Sequence, residues 1–140
     1  MFNPSREQVR QFFFESWRKQ RAREVLVGPE PLALEVILLH PEYHALLDDP
    51  QRSEQRDYLP EAGAKNPFLH LSLHLAIEEQ LSIDQPPGIR AEFARLAAKL
   101  GGRHEACHAV MDCLGETLWR AQRAHTEPDA LAYLECLKQR

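Results

Sequence analysis

The sequence predicts an all-α fold, a single-domain bundle of five or six helices over residues 1–140, and three observations point that way. Apolar residues recur at helical spacing in several separate stretches. Asparagine-proline pairs and glycine-rich turns punctuate those stretches where helices start and stop. The stretch of alternating leucines at 69–75 lacks the β-branched residues that a strand favours, and its segment is longer than a typical strand.

The first helix opens at Asn3-Pro4, a cap followed by a first helical position, and Val9, Phe12, Phe13 and Trp17 carry it to about Arg23. Gly28-Pro29-Glu30-Pro31 then breaks the chain. Leu32 to Leu39 restarts it until Pro41 interrupts the hydrogen-bond ladder, and residues 41–48 form a short helix. Residues 49–65, rich in Asp, Gln, Arg, Gly and Pro, read as a long polar loop of the kind that often carries function. Asn66-Pro67 repeats the opening signal and starts an apolar helix through Leu81. After Pro86-Pro87-Gly88, residues 89–100 make an alanine-rich helix that stops at Gly101-Gly102. Two more follow at 103–124 and 128–138.

Composition narrows the class of protein. Hydrophobic residues make up 44% and charged residues 27%, which suits a globule with its own core rather than a disordered chain. A net charge of -4 removes the broad positive field that nonspecific nucleic-acid binding requires, so nucleic acid is not an expected partner. A protein partner or a second copy of the chain is compatible with this composition. No apolar stretch approaches the roughly 20 residues of a membrane span, and Phe12-Phe13-Phe14 is too short for a signal-peptide core. Cys107, Cys113 and Cys136 are unevenly spaced and lack a C-x-x-C pair, which indicates neither a disulfide framework nor a zinc ribbon and suits a reducing, cytoplasmic setting.

The histidines carry the chemistry. Six of the seven fall in pairs four residues apart: His40 with His44, His70 with His74, and His104 with His108. Random placement would give roughly 0.3 such pairs, so three disjoint pairs need a cause. Each pair is followed four residues on by a carboxylate: Asp48, Glu78 and Asp112. On a helix this spacing stacks side chains about 6 Å apart, close enough for one rigid element to chelate an ion. Bundles whose helices project histidines and carboxylates inward hold di-iron and di-manganese centres, and zinc takes the same residue types. The expectation is therefore a divalent ion, zinc, iron or manganese, held singly or as a pair by members of this set, with Glu116 added.

Positions around the helix axis sharpen that expectation. On the 67–81 helix His70 and His74 lie nearly opposite the polar Ser72 and Glu79, so both should point inward, within reach of His104 or His108. On the 103–124 helix, Cys107, Val110, Met111, Leu114 and Leu118 form the apolar stripe. His104 and His108 sit at its edge beside Asp112 and Glu116, where they would face a polar cavity. Glu78, Asp112 and Glu116 would bind the ion directly or orient imidazole N–H groups. His40 is the weakest ligand, because Pro41 pushes it out of helical conformation. His125, alone near a helix end, reads as a surface residue or a C-terminal cap.

Three further features have plainer readings. His104-Glu105-Ala106-Cys107-His108 matches H-E-x-x-H, the zinc-protease pattern, but the metzincin extension does not follow it and no strand-edged cleft is foreseeable. Cys107 reads as a small core thiol rather than a soft ligand. The positive charge of Arg6, Arg10, Arg18, Lys19, Arg21 and Arg23 is interleaved with glutamates and reads as a solvated helix face.

Met1-Phe2-Asn3-Pro4-Ser5-Arg6 with Phe12-Phe13-Phe14, His40-Pro41-Glu42-Tyr43-His44, Asn66-Pro67-Phe68-Leu69-His70, Ile83 to Arg90 and His108 to Glu116 together resemble domain-of-unknown-function family 1841 of proteobacteria. The resemblance covers essentially the whole chain and implies a small cytoplasmic bacterial protein; it implies no activity and no ligand set. Two function classes remain: a metal-binding protein with a redox, oxygen-handling or hydrolytic role, and a non-catalytic helical interaction module whose histidines are satisfied by hydrogen bonds.

Overall fold

A computed structural model describes residues 6–53 and 66–140, and among these every regular element is helical. Its elements are α1 (Arg6–Ala22), α2 (Glu30–Leu38), a 3₁₀ turn (Pro41–Tyr43), α3 (His44–Asp48), α4 (Pro50–Ser53), α5 (Pro67–Ile83), α6 (Ile89–Leu100), α7 (Arg103–Ala124) and α8 (Ala130–Lys138). The all-α expectation holds, with more segments than the five or six expected. The surplus lies between Pro41 and Ser53, where the expected 41–48 helix is split into the 3₁₀ turn and α3, and Pro50 opens a further short helix at the start of the expected polar loop. Residues 54–65 of the expected polar loop, and the Asn3-Pro4 cap, lie outside the described residues.

The chain divides into two compact units, Met1–Leu75 and Ala76–Arg140, and the division falls inside α5. In the first, α1 contributes Phe13, Phe14 and Trp17 to a core completed by Ala33, Val36, Ile37, Leu47, Phe68 and Leu71. Arg10 belongs to the same α1 stripe at spacings of three, four and seven from these aromatics. Its side chain is 1% exposed and its guanidinium lies 4.7 Å from the centre of the Phe68 ring. One member of the expected solvated basic face is therefore buried. The indole N–H of Trp17 donates to Asp48 at 2.7 Å, which anchors α3 on α1.

Local signals set the helix ends. Arg23 adopts a left-handed conformation, and the Glu24 N–H reaches back to the Lys19 carbonyl at 2.8 Å, closing α1 without a glycine. The α2 helix starts at Glu30, two residues earlier than the proline-rich break suggested, because Pro31 sits in its first turn, where no N–H is needed. Asn66 caps α5, its side-chain oxygen accepting from the N–H groups of Phe68 and Leu69 at 3.0 and 3.1 Å. Gly101, at φ +92, ends α6 as expected.

Glu30 supplies a pH-dependent clasp. It accepts from the Lys19 ammonium at 2.8 Å and from the Val27 N–H at 2.8 Å. The Lys19 contact first, and then the Val27 N–H, hold its carboxyl below the usual 4.5. A depressed carboxyl contributes stability that is present above its unfolded pKa and lost as pH falls through the folded value. Glu30→Gln should therefore unfold at lower temperature than wild type at neutral pH, and by a smaller margin at an acid pH below 4.5. Thermal melts at the two pH values check this.

In the second unit α6, α7 and α8 pack together, burying Ile89, Phe93, Leu96, Ala106, Cys107, Val110, Met111, Leu114, Tyr133 and Leu137. The expected α7 stripe is buried except for Leu118, which is half-buried. Cys113 and Cys136 form a disulfide joining α7 to α8, which corrects the expectation that the cysteine spacing indicates no disulfide framework. Spacing rules describe cysteines close in sequence; these two are brought together by helix packing across 23 residues. Among the described residues no helix is long and apolar enough to cross a membrane.

Candidate metal centre

Three imidazoles converge inside the first unit. His40, His70 and His74 each offer a ring nitrogen such that all three lie within 4.8 Å of one another. His40 and His74 are buried, at 4% and 2% exposure, and His70 is half-buried. The two α5 residues arrive as predicted, on the stripe that also buries Phe68, Leu71 and Ile77 and opposite the exposed Glu79.

His40 arrives by another route. The proline that follows bars helical conformation at His40, whose backbone stands at φ -127 and ψ 68 between α2 and the 3₁₀ turn. This departure from the helix turns the ring inward against α5. Its Nδ1 lies 2.8 Å from the Val36 carbonyl, and a carbonyl only accepts, so Nδ1 carries the proton and Nε2 presents its lone pair. That Nε2 stands 2.9 Å from Nε2 of His70. The His40 ring is near-perpendicular to both partners, at 78° to His70 and 88° to His74, with centroids 4.7 and 5.2 Å away. Tyr43 stacks on its face at 5.5 Å and 9°, and burial, followed by the charge of Glu42, raises the Tyr43 phenol above its ordinary value.

The remaining candidates have other surroundings. His44 is separated from the cluster by the same turn: its ring packs against Trp17 at 4.3 Å, and its Nε2 meets the Ile37 carbonyl at 2.9 Å. Asp48, the carboxylate after that pair, holds Trp17 instead. On α7 His104 and His108 lean on each other, centroids 4.3 Å apart, and both are exposed. Glu78 takes the Arg103 guanidinium at 2.6 and 2.7 Å, Asp112 faces Arg140 at 3.6 Å, and Glu116 is bound by Arg120 at 2.6 Å. Glu105, the would-be protease base, folds back over the start of α7, where a Cβ on Gly102 would come within 2.7 Å of its carboxylate. That is the place of a capping-box glutamate. Cys107 is a buried core thiol pushed up to about 12 by burial, with the charge of Glu78 adding to it. His125 caps α7 in a left-handed conformation.

The cluster can do two things chemically. A proton shared along the Nε2···Nε2 line joins His40 to His70, and a divalent ion would join all three rings. Two nitrogens bound at 2.0–2.1 Å to a tetrahedral ion stand about 3.3 Å apart, so the observed pair needs to part by only a few tenths of an ångström. Sequence comparison adds one finding: the profile of a family described as domain of unknown function (DUF1841) matches residues 5–139. No curated protein and no solved structure is similar enough to match.

Proposed function

Since the chain belongs to domain-of-unknown-function family 1841 over nearly its whole length, and that description names no activity, we propose from the geometry that it is a metal-binding helical protein holding its ion between His40, His70 and His74. The observation that carries this is the Val36 carbonyl on His40 Nδ1, which fixes the tautomer and aims Nε2 at His70. Ligand histidines are commonly oriented by such a partner on the ring nitrogen that does not bind the metal. Three imidazoles favour zinc over iron, and iron over manganese. Asp112 and Glu116 are exposed on α7 and have guanidinium partners, which supports a single ion on the three imidazoles. Three protein ligands leave a fourth position for water, the arrangement of catalytic rather than structural zinc, which supports a hydrolytic role over a redox one.

Elemental analysis of protein purified without a polyhistidine tag should find close to one equivalent of metal, falling to background in His70→Ala. Metal-free wild type that also takes up no zinc, iron or manganese on titration would leave the His40–His70 hydrogen bond as the purpose of the cluster and the interaction module as the function.

A further inference from the structure

The Cys113–Cys136 disulfide is presented to solvent on one side only. Cys113 is fully buried on α7, whereas Cys136 is half-buried and lines a cavity of about 220 Å³. That cavity lies between the last turns of α7, the segment after it and the start of α8, and it has room for a molecule of a few heavy atoms. Its wall carries the carboxylates of Glu116, Glu127 and Asp129, and one cation, Arg120, which is bound to Glu116 at 2.6 Å. The local field is negative, and it favours a cationic visitor over an anionic one.

We propose that this disulfide is a thiol-exchange site at which a small aminothiol enters the cavity and attacks Cys136. The thiolate forms a bond to Cys136 Sγ as the Sγ–Sγ bond breaks. The electron pair leaves on the Cys113 sulfur, which takes up the proton the incoming thiol gave up. A second thiolate attacks the aminothiol sulfur of the mixed disulfide, releasing Cys136 as a thiol and the small molecule as its own disulfide. Two thiols are thus oxidised to one disulfide while the protein gains two electrons and two protons. Reduction unpins α8, which keeps its Leu137 carbonyl on Arg95 and its Tyr133 hydroxyl on Gln80. The exchange is independent of the metal reading, because it uses none of the three histidines.

The test uses the wild-type protein and three probes: cysteamine, 2-mercaptoethanol and 2-mercaptoethanesulfonate, each rate divided by that thiol's rate on a free small disulfide. Cysteamine should be several-fold faster than the sulfonate at low ionic strength, and the preference should shrink with added salt and in Glu127→Gln. Equal normalised rates, or a faster sulfonate, would overturn the charge selection. Capping of the two cysteine-to-serine variants with cystamine, located by peptide mass because Cys107 remains in both, tests the direction of attack. Cys136 in Cys113→Ser should be modified quickly and Cys113 in Cys136→Ser slowly; the reverse order would overturn the assignment.

Discussion

His74→Ala is expected to abolish the metal-dependent part of the protein's thermal stability. The three ligands come from two segments separated by about thirty residues of sequence, so the site exists only when the first unit is folded, and binding then stabilises the fold by linkage. At a thousandfold excess of free ion over its dissociation constant that amounts to about 4 kcal/mol. For a chain of this length the melting temperature should shift by on the order of 10 °C. The variant also loses a buried imidazole, so the quantity to read is the difference between melts with added zinc and with a chelator. That difference should vanish in the variant and persist in His104→Ala. An increment that survives in His74→Ala but disappears in His104→Ala would move the site to α7. Acidification through the range where imidazoles take up protons should erase the wild-type increment, because protons compete with the ion for the same lone pairs.

Reducing the disulfide, or replacing Cys136 by serine, is expected to cost about 3 kcal/mol, since the bond closes a loop of moderate length and removes that freedom from the unfolded chain. Cys136 is the better position to substitute because it is half-buried, so the serine hydroxyl can reach water, whereas Cys113 is fully buried. Urea unfolding with and without a reductant should show the midpoint falling in wild type and not moving in Cys136→Ser. A wild-type midpoint indifferent to reductant, in protein whose disulfide is confirmed by mass, would show that the packing and hydrogen bonds of Tyr133 and Leu137 hold α8 without it.

Much of this was legible where one helix carries its own instructions. Asn66-Pro67 started α5, Gly101 stopped α6, and the opposition of His70 and His74 to Glu79 put both in the interior. Arg10 was legible too, since its spacing to Phe13, Phe14 and Trp17 places it on the apolar stripe, but a count of charges along α1 hid it. The failures share a cause: they depend on where a helix is interrupted or on which helices meet. His40 was ranked last because Pro41 removes it from the helix, and that removal is what delivers it to α5. His44, four residues on, was assigned the same face and instead faces Trp17. The edge position of His104 and His108 on the helical wheel fits a cavity or open solvent equally well, and the structure gives solvent exposure. The pairing of Cys113 with Cys136 required knowing that α8 returns along α7.

The end of α2 binds two of these imidazoles through its own backbone, with His40 on the Val36 carbonyl and His44 on that of Ile37. Terminal carbonyls have no partner within their helix, and a ring N–H at that negative end of the dipole satisfies one directly. Both histidines therefore have a second reason to persist. A descendant of this protein that abandoned the ion would still lose a contact with either ring, because each ring N–H is a second donor to a carbonyl that the Leu39 or His40 N–H also reaches. Among relatives, retention of His40 and His44 is thus a poor witness to metal use. His70 is the more informative position, since its imidazole meets His40.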